Sequence, residues 1–131
     1  MKTLIVEDDF TCRLLLQELL KSYGVTHVAV NGKEAVAAVR GALEAGQPYD
    51  LVCLDIMMPE MDGQQALKEI RALEESRGIL SPQGVKVVMT TAMGDMKNVF
   101  AAYASLCDGY LTKPIHGEKL LEELRKLALV A

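Results

Sequence analysis

Short apolar runs alternate with longer amphipathic stretches along the chain. The short runs are Thr3–Val6, Val25–Val30, Leu51–Leu54, Val85–Met89 and Gly109–Leu111, rich in Val, Ile and Leu. They do not alternate with polar residues, which is the pattern of strands covered on both faces. Between them, apolar residues recur at helical spacing. The first helix is predicted over roughly Phe10–Ser22, with Leu15, Leu16, Leu19 and Leu20 in its stripe and Tyr23-Gly24 as its stop. A second is predicted over Gly32–Glu44 behind an Asn31 cap, and a third over Gly63–Ser76 behind Asp62. A fourth follows over roughly Met96–Ser105, capped by Asp95, and a fifth over Gly117–Leu129.

A βα unit repeated five times implies a parallel sheet with helices on both faces and right-handed crossovers. The fold class is therefore α/β, and for five strands the flavodoxin-like order 2-1-3-4-5 leads. Its ligand site lies outside the carboxyl ends of the strands, near the switch point between strands 1 and 3. The stretches Gly41–Pro48 and Arg77–Gly84 read as surface loops.

Length and composition narrow the class. The 131 residues, half of them apolar, fit one domain across residues 1–131 with no separate output domain. A formal charge of −4 offers no basic face for phosphate contacts, so direct nucleic-acid binding is not expected. The three cysteines, Cys12, Cys53 and Cys107, form no CxxC and have no histidine beside them, which suits reduced thiols in the cytoplasm. The first apolar run stops at Glu7-Asp8-Asp9, too short for a signal peptide. No run approaches the roughly 20 apolar residues that a membrane span needs.

Chemistry collects at the strand ends. Strand 1 leads into Glu7-Asp8-Asp9, strand 3 into Asp55, strand 4 into Thr90-Thr91, and strand 5 into Lys113-Pro114. Each has a plain structural reading when taken singly: a helix cap for Asp55, a dipole contact for Asp8 and Asp9, a β-former for the threonines and a solvated loop for Lys113. Their joint occurrence at successive strand ends is not predicted by those readings. Acids without histidine or cysteine suit Mg²⁺ or Mn²⁺. A lysine and a hydroxyl beside such a metal suit phosphoryl transfer, with a carboxylate as the acceptor.

Glu7-Asp8, Leu54-Asp55 with Met58-Pro59 and Met61-Asp62-Gly63, Thr91-Ala92, and Gly109-Tyr110 with Lys113-Pro114 resemble the motif set of response-regulator receiver domains. The likeness runs through essentially the whole chain. It implies a two-component switch that accepts a phosphoryl group from the phosphohistidine of a sensor histidine kinase or a phosphotransfer protein. It assigns Asp55 as phosphoacceptor, Asp8 and Asp55 as metal ligands, Glu7 as a ligand through the metal's water, and the Met57 carbonyl as a further ligand. Thr91, preferred over Thr90 because Ala92 follows it, would bond the phosphoryl oxygen, and Lys113 would pair with the phosphate. Tyr110 would be the aromatic switch that follows Thr91, and Asp9 would open the first helix. The Lys113-Pro114 bond is expected to be cis.

The resemblance also implies a readout face of helix 4, strand 5 and helix 5 for a downstream protein, and leaves room for a phosphorylation-dependent homodimer. It places Thr11 and Arg13 where a kinase or phosphotransfer helix docks. Such a domain is not a turnover enzyme, although it catalyses its own phosphorylation and slow autodephosphorylation. Met57 and Met93, two positions after Asp55 and Thr91, flank the path of the hydrolytic water and cannot orient it, so a long phosphoryl lifetime is expected. The competing class is a small Mg-dependent phosphohydrolase with an aspartyl nucleophile. It requires a second Asp two positions after the first, where this chain has Met57. His27, His116 and Cys53 read as structural or surface residues.

Overall fold

The structure, a computed structural model, describes residues 1–56, 58, 61–80, 83–91 and 106–131. Five strands, β1 (Thr3–Val6), β2 (Thr26–Ala29), β3 (Leu51–Asp55), β4 (Lys86–Thr91) and β5 (Gly109–Thr112), form one parallel sheet of order β2-β1-β3-β4-β5. Among the described residues, helices α1 (Phe10–Leu20), α2 (Gly32–Glu44), α3 (Gly63–Ser76) and α4 (Gly117–Lys126) cover it. The flavodoxin-like order is the one that the alternation implies. Helix α4 is the fifth predicted helix, while the fourth, near 96–105, lies outside the described residues.

Alternate residues of each strand feed two cores. Leu4, Val6, Val52, Leu54, Val87 and Met89 pack with Val39 of α2 and with Leu67 and Ile70 of α3. Ile5, Leu51, Cys53, Val88 and Leu111 pack on the other face with Leu16 and Leu20 of α1 and Leu120 and Leu124 of α4. Both sides of the pleat are thus dry in the central strands, which is why their sequences run unbroken. At the edges the expectation fails. Strand β2 buries only Ala29, leaving Val25 and Val28 60% and 38% exposed, and β5 buries only Leu111. Each of these strands has a neighbour on one side only, so helices reach less of its surface.

Local chemistry sets the helix starts. Asp9, Asn31 and Asp62 accept from the backbone N–H groups of Cys12, Glu34 and Gln65 at 3.3, 2.8 and 2.9 Å. Glu34 returns the favour to α2, its Oε1 accepting from the Val30 N–H at 2.9 Å. Gly63 opens α3 where a side chain could not fit. Its N–H donates to the Ile56 carbonyl at 3.0 Å, and an added Cβ would run into the Asp55 carbonyl oxygen. The third helix therefore presses directly on the end of β3. Helix α1 stops at Leu20 and runs on as a 3-10 turn, Lys21–Tyr23.

A buried ion cluster ties the opposite end of the sheet. Arg71 of α3 donates to Glu74 Oε1 at 2.8 Å, to the Val85 and Leu106 carbonyls at 2.8 and 2.9 Å, and to Asp108 Oδ2 at 3.0 Å. Glu74 Oε2 accepts from the Val85 N–H and Asp108 Oδ2 from the Val87 N–H, at 2.7 and 2.8 Å. One guanidinium thus joins α3, the start of β4 and the entrance to β5. Substituting Arg71→Leu strands two acids in a low-dielectric site, and we expect a loss of about 3–5 kcal/mol in urea unfolding. A loss below about 1 kcal/mol would show that water replaces the guanidinium.

Candidate functional site

The site is built by register. Val6 stands beside Leu54 across the β1–β3 ladder, so Glu7 falls level with Asp55, and Asp55 in turn pairs with Thr90. Thr91, one residue further out and buried, ends β4 beside Thr112. The ladder gains one more rung where the Lys113 N–H donates to the Thr91 carbonyl at 2.8 Å, and the Lys113-Pro114 peptide is cis, as expected. Residues far apart in the chain thereby share one edge of the sheet.

Glu7, Asp8 and Asp55 each offer a carboxylate oxygen within 4.8 Å of the others. Glu7 and Asp55 are buried and Asp8 is exposed. The Lys113 ammonium sits between the two buried acids, 2.8 Å from Glu7 Oε1 and 3.3 Å from Asp55 Oδ1. Glu7 Oε1 is nevertheless a buried oxygen that receives no hydrogen bond of normal geometry. Its second oxygen accepts from the Asp9 N–H at 3.3 Å.

Crowding shows in the protonation of these groups. Burial, then the hydrogen bond and charge of Glu7, push Asp55 up to about 7, against the pull of Lys113. Burial raises Glu7 as well, but hydrogen bonds from Asp55, Lys113 and Cys12 outweigh it and hold Glu7 down at about 2. Of the buried pair, Asp55 is thus the acid that holds a proton more readily. Lys113 is raised despite its burial, because Glu7 and Asp55 both favour its charge.

Most of the residues singled out in the sequence meet here. Glu7, Asp8, Asp55, Thr91 and Lys113 share the edge, and Asp9 caps α1. Tyr110 is half-buried on β5, packed against the core formed with α2 and α3. Met57 and Met93 lie outside the described residues. His27 Nδ1 lies 2.7 Å from the Tyr49 hydroxyl, and His116 is the cap residue of α4, so neither histidine belongs to the acid group. Two contributors were not anticipated. The Cys12 thiol helps to hold the Glu7 carboxyl below its ordinary range, and Arg13 Nη1 donates to the Glu7 carbonyl at 3.0 Å. Their only trace in the sequence is their place in the first turn after the acids.

Comparison with known proteins agrees with this geometry. The response regulator receiver domain profile matches residues 3–125. Chemotaxis protein CheY of Listeria monocytogenes is 34% identical over 133 residues, covering 98% of this chain and 98% of that protein. The co-crystal structure of the Saccharomyces cerevisiae histidine phosphotransfer protein Ypd1 with the receiver domain of Ssk1 holds a chain that superposes with TM-score 0.80. It is 29% identical and covers 97% of this chain and 88% of that one. The receiver domain of sensor histidine kinase PA1611 from Pseudomonas aeruginosa, with magnesium in its active-site cleft, gives TM-score 0.75 at 28% identity over 97% of each chain. The chain belongs to the response regulator receiver family and is a phosphorelay response regulator. These relatives lend no support to the phosphohydrolase alternative.

The raised acid makes a prediction about the metal-free protein. Asp55 holds its proton in the folded state at pH values where the unfolded chain, at 3.8, has lost it. Its contribution to stability is therefore full below that value and lost as pH rises through about 7. Asp55→Asn keeps the shape and a donor toward Glu7 but cannot ionise. In EDTA, the melting temperature of the variant minus that of the wild type should widen from pH 4 and level off above about 7. A constant difference would show that Asp55 titrates as an ordinary carboxylate.

Proposed function

We propose that Asp55 is the phosphoacceptor and that this chain works as a phosphorylation switch. One observation carries the reading: a single ammonium, Lys113, spans two buried carboxylates from different strands at 2.8 and 3.3 Å. Such a cation can release Asp55 and pair with a phosphoryl oxygen as it arrives.

The donor set suits a hard divalent ion. It consists of three carboxylates, with no imidazole or thiolate in the group among the described residues, and one of them, Glu7, carries a buried under-bonded oxygen. Glu7, Asp8, Asp55 and the Met57 carbonyl would hold Mg²⁺ or Mn²⁺, which when bound neutralises charge on the phosphoryl oxygens. The chain's own residues do the rest. Asp55 loses its proton to water and, as the carboxylate, its Oδ attacks the phosphorus of a phosphohistidine on a sensor kinase or phosphotransfer protein. The O–P bond forms as the P–N bond breaks, and the nitrogen's electron pair returns to the imidazole. Lys113 and the Thr91 hydroxyl then hold the phosphoryl oxygens.

The donor docks on α1. Phe10, Leu14 and Leu15 stand 65%, 48% and 40% exposed on the helix that starts directly after the acids. The co-crystallised phosphotransfer protein and receiver of yeast are a precedent for such a partner. Phosphorylation draws Thr91 in and Tyr110 follows, changing the face of the fourth predicted helix, β5 and α4 toward a downstream protein or a second copy of the chain. A difference of a few kcal/mol between two states is sufficient. No described helix is long and apolar enough to cross a membrane, and the reading places the switch in the cytoplasm.

Incubation with acetyl phosphate and Mg²⁺ tests this. We expect one acid-stable, alkali-labile phosphoryl group per chain, absent in Asp55→Asn and absent in EDTA. Label retained by Asp55→Asn, or repeated turnover of phosphate esters, would sink the reading. The phosphoryl group should also last, because neither Met57 nor Met93 can orient a water. Met57→Asn should shorten the half-life of the label in a chase, and an equal or longer half-life would refute the role given to that side chain.

A further inference from the structure

We infer that Arg13 is a positioning residue for the acidic pair, acting through the backbone carbonyl of Glu7 rather than through any carboxylate. The inference rests on the phosphoacceptor reading of the same site. The Glu7 N–H completes the ladder to β2, donating to the Ala29 carbonyl at 3.0 Å, and Glu7 is the last residue so held. Its own carbonyl faces out of the ladder and needs a donor. Arg13 supplies it at 3.0 Å from the next turn of α1.

The attachment closes a loop. Asp9 caps α1 and accepts from the Arg13 N–H at 2.9 Å through its carbonyl, while the Arg13 side chain reaches back to the residue two before Asp9. The Asp9 N–H meets Glu7 Oε2, and the Cys12 thiol meets the Glu7 carboxylate. Glu7 and Asp8 are therefore fixed to β1 on one side and to the first turn of α1 on the other. The Phe10 ring backs the guanidinium, 5.5 Å from its carbon.

The two cations of the site divide their work. Lys113 sits on the carboxylate oxygens and competes with a metal for them. Arg13 donates to a peptide oxygen and so leaves the carboxylates open. Arg13, which the resemblance counts among kinase contacts, is thus committed to the protein's own acidic loop.

Outer groups that hold metal ligands in place are worth about tenfold or more in affinity. The chain has no Trp, so Mg²⁺ binding is best read by calorimetry on wild type, Arg13→Met and Arg13→Lys. We expect Arg13→Met to bind Mg²⁺ about tenfold more weakly while still unfolding in one cooperative thermal transition, and Arg13→Lys to regain most of the loss. With acetyl phosphate, the Mg²⁺ concentration for half-maximal labelling should rise by the same factor, while the rate at saturating Mg²⁺ stays within about twofold. If Arg13→Met does not fold, Arg13→Gln is read in the same way. Wild-type affinity in the folded variant overturns the inference alone. A wild-type protein that neither binds Mg²⁺ nor takes label overturns the phosphoacceptor reading, and this inference with it.

Discussion

Like charges crowded at the edge of a sheet are the constraint on which the working end depends. Two carboxylates about 4 Å apart repel by roughly 4 kcal/mol at the effective dielectric of a protein surface, and by more when buried. That is a large share of the roughly 5–15 kcal/mol by which a domain is stable. The protein meets the cost in two ways at once: a raised proton affinity at Asp55 and the ammonium of Lys113 between the acids. In the proposed function, the proton and the ammonium both yield to an incoming cation or phosphoryl group. A site held in this half-neutralised condition is poised to gain from what it binds.

The other end of the sheet handles charge differently. Glu74 and Asp108 each meet the Arg71 guanidinium and a backbone N–H, so their charges are met from within the protein. Nothing there invites a ligand. The contrast separates the two clusters better than burial does, since Glu7, Asp55 and Glu74 are all buried. The cluster also fixes where β5 begins, at Gly109, four residues before the lysine that β5 carries to the site.

Much of this was legible in the sequence, and the reasons are physical. The central strands and helices α2 and α3 follow from unbroken apolar runs and from caps at Asn31 and Asp62, which act locally. The acids, threonine and lysine were legible because strand ends of a parallel sheet must meet, whatever their separation along the chain. The exposure of Val25 and Val28 was not, because a run of valines does not say which strand ends up at an edge. Arg71 and Glu74 occupy positions of the α3 stripe that continue Leu67 and Ile70, so charges in an apolar stripe were a signal left unused. Arg13 could not be read at all. Its partner is a peptide carbonyl, and every residue has one.

The placement of Lys113 after both Glu7 and Asp55 along the chain has a consequence for how the protein is made. During synthesis Glu7 and Asp55 leave the ribosome long before Lys113, and until β5 pairs with β4 the two acids lack their ammonium. A nascent chain therefore has no assembled acceptor, however much of its sheet has formed. Under the proposed function, the order of residues along the polypeptide acts as a safety catch, tying competence to the pairing of β5 with β4.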